Sequence, residues 1–160
     1  MENAKLEKIY YESFRNIDFI NRYKKIMDAH NHPLDDILAR MEKTIIKNTF
    51  KEIGYDFKIS SPGQFYEFYE TINDYSFKIS IKISGGMITT YIYIYVYGDI
   101  VKIDYTNFAF IYRILKNNME EVTNAPKFKN FNELLIILKD LISIYENFKI
   151  EFLKLIRENV

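Results

Sequence analysis

Between Phe77 and Tyr105 apolar and polar side chains alternate so strictly that few chain paths satisfy the pattern. Phe77, Ile79, Ile81 and Ile83 share one side of a strand, and Ile88, Thr90, Ile92, Ile94 and Val96 share one side of the next. Gly85-Gly86 lies between them, and glycine accepts the positive φ angles of a two-residue hairpin turn without a Cβ clash. Setting Ser84 opposite Met87 brings Ile83 to Ile88, Ile79 to Ile92 and Phe77 to Ile94. A second turn at Gly98-Asp99 predicts Tyr97 opposite Ile100, Val101 beside Val96 and Ile103 beside Ile94. A slip of one residue in either pair would turn the isoleucines to the wrong side, so the pattern resists it. The opposite face then carries Tyr91, Tyr93, Tyr95 and Tyr97, flanked by Lys78, Lys82, Lys102 and Asp104.

A chain of 160 residues suits one domain spanning 1–160, a size that buries roughly 70% of its unfolded surface. Lysine plus arginine equals aspartate plus glutamate at 22 each, which leaves no bulk field to recruit nucleic acid or an anionic membrane. Cysteine is absent, excluding disulfides, thiolate nucleophiles and sulfur-ligated metals together. Met1-Glu2-Asn3-Ala4-Lys5 lacks an apolar signal region, and Lys139 and Asp140 break the apolar run from Leu134 to Ile144. The expectation is a cytoplasmic protein with neither signal peptide nor spanning helix.

Taken in order, Leu6, Ile9, Tyr10, Ile17, Ile20 and Met27 predict one long amphipathic helix from Lys5 to about Met27. Pro33, followed by Asp35 and Asp36, suits the start of a second helix carrying Leu34, Ile37, Leu38, Met41, Ile45 and Ile53, with Gly54 as its left-handed cap. The two should form a helical hairpin. Period two returns at Tyr55, Phe57 and Ile59, and Ser60-Ser61-Pro62-Gly63 reads as a turn. A further strand, Phe65 to Ile72, joined through a loop at Asn73–Ser76, places Phe68 opposite Ile81 and Glu67 opposite Lys82. That strand points Glu70 toward the apolar side, where a carboxylate must lie at an edge or find a partner. The tyrosine strand is expected at the centre of the sheet. Thr106 or Asn107 can cap a third helix bearing Phe108, Ile111, Leu115 and Met119, which ends before Thr123-Asn124-Ala125-Pro126. Asn130 and Glu133 make a capping box for a long last helix with Leu134, Leu138, Leu141, Tyr145, Phe148, Phe152 and Leu155 inward, a stripe wide enough to lie on the sheet or the first helices. The predicted class is α+β, with an N-terminal helical hairpin, a four- to five-stranded antiparallel β-meander and two C-terminal helices.

Signals for chemistry are sparse. His30 and His32 are the only histidines, and a metal site needs more donors than two, with Asp35 and Asp36 the nearest recruits. The pair therefore reads as decoration of an exposed interhelical turn, and no metal is expected. Ser61 lacks the glycine two residues upstream that a nucleophile elbow requires, and Gly85-Gly86 opens no helix that could cradle phosphate. Asp35-Asp36 and Glu120-Glu121 are sequence neighbours, whereas groups that face one another on a helix sit three or four apart. The expectation is no catalytic residue, no cofactor and no enzyme. The tyrosine face admits three readings. It is a contact surface, since tyrosine offers amphipathic area at low entropy cost; or a helical pair covers it; or it is an RNA platform, for which basic surroundings and the usual aromatic motif are missing.

A small, cysteine-free α+β layout ending in Phe128-Lys129-Asn130-Phe131-Asn132-Glu133-Leu134 and a helix through Tyr145-Glu146-Asn147-Phe148-Lys149 resembles the bacterial immunity proteins, the dedicated inhibitors of polymorphic or contact-dependent toxins. The richness in Ile, Lys, Asn, Tyr and Phe is similar to products of AT-rich bacterial genomes. The resemblance implies a non-catalytic protein that binds and neutralises a cognate toxin domain; from the even charge balance no nucleic acid or membrane partner is expected, and homodimer formation stays open. Tyr91, Tyr93, Tyr95 and Tyr97 would supply the contact area and Lys78, Lys82 and Lys102 the charge selection at its margin. Alternatives are a secretion chaperone for an effector and a carrier of small hydrophobic ligands with a pocket lined by Phe77, Ile92 and Phe148.

Overall fold

Gly85 and Gly86 adopt φ angles of 60° and 74°, the left-handed pair that a tight hairpin demands. On either side of them β3 (Tyr75–Ser84) and β4 (Met87–Val96) pair in the expected register, with Ser84 opposite Met87, Ile79 opposite Ile92 and Phe77 opposite Ile94. The computed structural model describes residues 1–60 and 64–159; of the turn expected at Ser60–Gly63, Ser61, Pro62 and Gly63 lie outside them. β1 (Lys58–Ile59), β2 (Phe65–Ile72) and β5 (Asp99–Ile100) complete an antiparallel sheet in the order β1-β2-β3-β4-β5. The centre of that sheet is β3, and the tyrosine strand β4 stands next to the short β5.

Two registers differ from expectation, each by two residues. The β2–β3 connection is the two-residue turn Asn73-Asp74, which sets Ile72 opposite Tyr75, Phe68 opposite Ile79 rather than Ile81, and Glu67 opposite Ser80 rather than Lys82. The β4–β5 turn is Tyr97-Gly98 rather than Gly98-Asp99, so Tyr95 faces Ile100 and the Val101 amide donates to Ile94 at 2.8 Å. Tyr97 accepts φ 50° because Asp74 holds it: its amide donates to the Asp74 carbonyl at 3.0 Å and its hydroxyl to the Asp74 carboxylate at 3.1 Å. Ile103 falls beyond β5 and does not oppose Ile94. A two-residue shift preserves the pleat, so every inward residue stays inward.

The helices also depart in detail. The long first helix is two, α1 (Asn3–Asn16) and α2 (Phe19–Ala29), separated at Asp18 with φ 59°, a conformation that aspartate tolerates better than most residues. The break lets Phe14 and Phe19 both turn inward, their ring centroids 4.9 Å apart. Beyond Pro33 there is only a 3₁₀ turn, Leu34–Asp36, and α3 begins at Lys43 (Lys43–Ile53), capped by Gly54 at φ 101°. The segment between them is not helical; it is extended at Ile37 and Glu42, and the Leu38 amide donates to the Phe128 carbonyl at 2.9 Å. Asn107 caps α4 (Phe108–Leu115) by accepting from the Ala109 amide at 2.8 Å, and Asn117 at φ 54° stops the chain from continuing, which leaves Met119 exposed beyond the helix. Asn130 caps α5 (Phe131–Glu158), accepting from the Glu133 amide at 2.9 Å. The return arm of the capping box reaches one residue further back, to the Lys129 amide at 2.6 Å.

The isoleucine face of the sheet carries the core. α5 lies against it and against α1, so that Phe148 packs on Phe14 and Tyr10, and Phe152 on Phe77. Tyr10, fully buried, donates its hydroxyl to the Ile92 carbonyl at 2.8 Å, satisfying a backbone acceptor beyond the reach of the short β5. The rest of that edge is paired by loops, through Thr106 to Ile92, Pro126 to Ile88 and Gly86 to Phe128. Glu70 does point inward, and its partner is the Lys149 ammonium of α5, which also pairs with Glu146 at 2.9 Å.

Gly86 has a second constraint beside its φ angle. A Cβ there would stand 2.9 Å from the Leu38 carbonyl oxygen and 3.2 Å from Ile37, whereas one at Gly85 meets nothing within 4 Å. Gly86→Ala should therefore cost about 2 kcal/mol, against about 1 for Gly85→Ala, which bears the left-handed strain alone. Paired urea titrations check this, and equal midpoints would refute the steric part.

Candidate functional site: an outward aromatic sheet face

Side chains pointing away from the core alternate with the inward ones on all three long strands. β4 contributes Tyr91, Tyr93 and Tyr95, β3 contributes Ser76, Lys78, Ser80 and Lys82, and β2 contributes Phe65, Glu67, Tyr69 and Thr71. Tyr91 and Tyr93 stack at 6.2 Å with ring planes 7° apart. Across the sheet Phe65 lies 6.1 Å from Tyr91, and Tyr69 meets Tyr95 edge-on at 5.6 Å. Ser76 and Ser80, the small residues between these rings, are buried, and the ring contacts of Phe65, Tyr69, Tyr91, Tyr93 and Tyr95 among the described residues are all within the sheet.

Lys78 stands at the middle of this surface. Its ammonium is 4.7 Å from the centroid of Tyr93, 5.9 Å from that of Tyr95 and 3.2 Å from the Glu67 carboxylate. Partial burial works against its charge, yet the Tyr95 hydroxyl and the Glu67 carboxylate outweigh that, so the ammonium holds its proton above the ordinary lysine range. Tyr93 also titrates above the ordinary phenol value, chiefly because burial disfavours phenolate, with Thr106 and Lys78 pulling the other way. Lys78 thus sets a positive charge, paired with Glu67, against the Tyr93 and Tyr95 rings. The rings are held by stacking and cation–π contacts before any partner arrives, which lowers the ordering cost of binding.

Not every expected residue joins this cluster. Lys82 belongs to it, at 5.8 Å from the Phe65 ring. Tyr97 is 78% exposed and sits at the hairpin tip against Asp74, at the end of the ladder rather than within it. Lys102 is exposed and lies past β5, in a segment that Asn3 pins through two hydrogen bonds of 2.7 and 2.9 Å to its backbone. Glu67, expected opposite Lys82, stands on this face opposite Ser80; Phe65 and Tyr69 complete the surface and were missed, although their alternation with Tyr66 and Phe68 places them here under either register. Phe77, Ile92 and Phe148, expected to line a ligand pocket, are each fully buried in the packed core.

A second constellation forms at the α2 exit. His30, expected in an exposed turn, is buried, and its Nδ1 lies 2.8 Å from the Glu133 carboxylate, while His32 Nε2 reaches the same carboxylate oxygen at 2.5 Å. The third group is thus Glu133, about a hundred residues away in sequence, and neither Asp35 nor Asp36. Burial alone would raise the Glu133 carboxyl, but hydrogen bonds from His32, His30 and the Lys129 amide prevail and hold it below the ordinary glutamate value. Asp35 and Asp36 stay exposed. No described helix is long and apolar enough to cross a membrane. Comparison with known protein families, curated proteins and solved structures returned no significant match.

Proposed function

We propose that this α+β protein works by stoichiometric binding and not by chemistry, as an immunity protein that docks on a cognate bacterial toxin domain and blocks or distorts its active site. The observation that carries this reading is the contiguous, partly exposed aromatic face of β2, β3 and β4. Sheets of this kind ordinarily keep a polar outer surface, and a contiguous ring cluster at partial exposure is the composition of a protein-binding surface. Tyr91, Tyr93 and Tyr95, with Phe65 and Tyr69, supply desolvated area; Lys78 with Glu67, and Lys82, select partners by charge. Tyr97 and Lys102 lie at its margins.

Co-expression with the toxin encoded beside it should rescue growth and yield a copurifying complex, and proteolysis of that complex should find the toxin folded. A partner held unfolded would identify a secretion chaperone instead. Replacing Tyr93 and Tyr95 together with alanine should weaken capture by about 2 kcal/mol or more. Calorimetric titration of the folded double variant decides it: unaltered affinity removes the sheet face from the interface.

A further inference from the structure

We infer that His30, His32 and Glu133 form a binding centre for a zinc-class divalent cation. Each offers one ligand atom, all within 4.8 Å of one another, and His30 Nδ1 and His32 Nε2 both meet Glu133 Oε2. Two imidazoles and a carboxylate are a donor set suited to zinc and its first-row neighbours and ill suited to magnesium or calcium, which prefer all-oxygen shells. Three protein donors leave a fourth position for water or an external ligand.

The centre is held in place by its surroundings. The His30 amide donates to the Ile26 carbonyl at 3.2 Å as α2 ends, and the His30 carbonyl accepts from the Lys127 amide at 2.9 Å, so the loop is pinned on both sides of the ring. Glu133 gives Oε1 to the Lys129 amide and thereby aims Oε2 at both histidines. Such outer contacts fix ligand orientation in metal centres. Side-chain exposures of 11%, 17% and 15% for His30, His32 and Glu133 keep the donors from bulk water without sealing them. His30 also borders a surface cleft of about 460 Å³ shared with Arg22, Lys25 and Asp140. The Lys127 ammonium is drawn to Asn31 at 3.3 Å.

In the metal-free protein the carboxylate bridges the two rings by hydrogen bonds. At bond lengths of about 2.0–2.2 Å a tetrahedral ion holds its donors roughly 3.3 Å apart. Glutamate must therefore retreat by about 0.5 Å from His30 and about 0.8 Å from His32 while the rings turn toward the ion, a change within ordinary rotamer freedom. Coordination then replaces two hydrogen bonds with three metal bonds and ties the α2 exit to the first turn of α5.

The test uses the untagged full chain, stripped with chelator and titrated with Zn²⁺ by calorimetry and with Co²⁺ by visible absorption. The expected result is one ion per chain, a Co²⁺ spectrum of low-symmetry four- or five-coordination, and losses of about tenfold or more in affinity for His32→Ala and for Glu133→Gln, since even outer contacts of metal centres are worth that much. His32 is the more exposed histidine, and glutamine can keep the Lys129 hydrogen bond, so both variants should fold; circular dichroism confirms it. Absence of one-to-one binding, or affinities in folded His32→Ala and Glu133→Gln equal to that of the parent, would overturn the assignment.

Discussion

Phe148→Ala should lower stability by about 4 kcal/mol, the range for truncating a buried phenylalanine. Its ring is fully buried and touches three others, at 4.4 Å from Phe14, 5.2 Å from Tyr10 and 5.8 Å from Phe152. These rings come from α1 and from α5 itself, and Phe152 passes the contact on to Phe77 in the sheet. The cavity would thus open where the helical layer meets the sheet, at a place where Tyr10 must also keep its hydroxyl on Ile92. Three elements would have to move to close it, and their backbones are constrained by ladder and helix hydrogen bonds, so little collapse is available. For a domain of this size the loss corresponds to a fall in melting temperature of roughly 10 °C. Calorimetric melting of the variant checks it, and a fall within the error of the parent would mean that the aromatic layer is not close-packed. Phe148→Leu should recover about half of the loss, because leucine refills much of the volume without the ring edges.

Lys149→Met should cost about 3 kcal/mol for a different reason. The ammonium pairs with Glu70 and Glu146 and lies 5.1 Å from the Tyr145 ring, with its side chain only 10% exposed. Methionine fills nearly the same space but leaves Glu70, 24% exposed, with no cation beside it on the apolar side of β2. Tyr55 still donates to Glu146, which can also turn outward, so the stranded charge is mainly that of Glu70. The double change Glu70→Leu with Lys149→Met should restore most of the stability, since removing both members of a buried pair costs far less than removing one. Chemical denaturation of the two single variants and the double variant forms the cycle. Additive losses would show that the two residues do not act as a pair.

Both effects bear on the proposed docking face although neither residue touches it. The inward residues Phe77, Ile79 and Ile81 anchor β3, and the pleat of that strand is what presents Lys78 between the Tyr93 and Tyr95 rings. Variants that loosen the core should be read for binding only where the fold survives.

Alternation alone determined which side of each central strand faces the core, because the side-chain period of a strand is two and any register shift by an even number keeps the faces. The same invariance explains why the β2–β3 and β4–β5 registers could each be off by two with no residue on the wrong side. The Gly85-Gly86 turn, the Gly54, Asn107 and Asn130 caps and the inward stripe of α5 were likewise written locally, in backbone angles and in spacings of three and four. Tertiary structure decided what local pattern cannot encode. The segment from Ile37 to Glu42 is not helical and meets Phe128 through Leu38, and the demand that Phe14 and Phe19 share one core split the first helix at Asp18. Lys149 was chosen as the partner of Glu70, α1 and α5 were brought to the isoleucine side while the tyrosines stayed partly exposed, and Glu133 was carried to His30 and His32. Each of these depends on groups far apart in the chain, and their meeting is set by packing rather than by sequence neighbourhood.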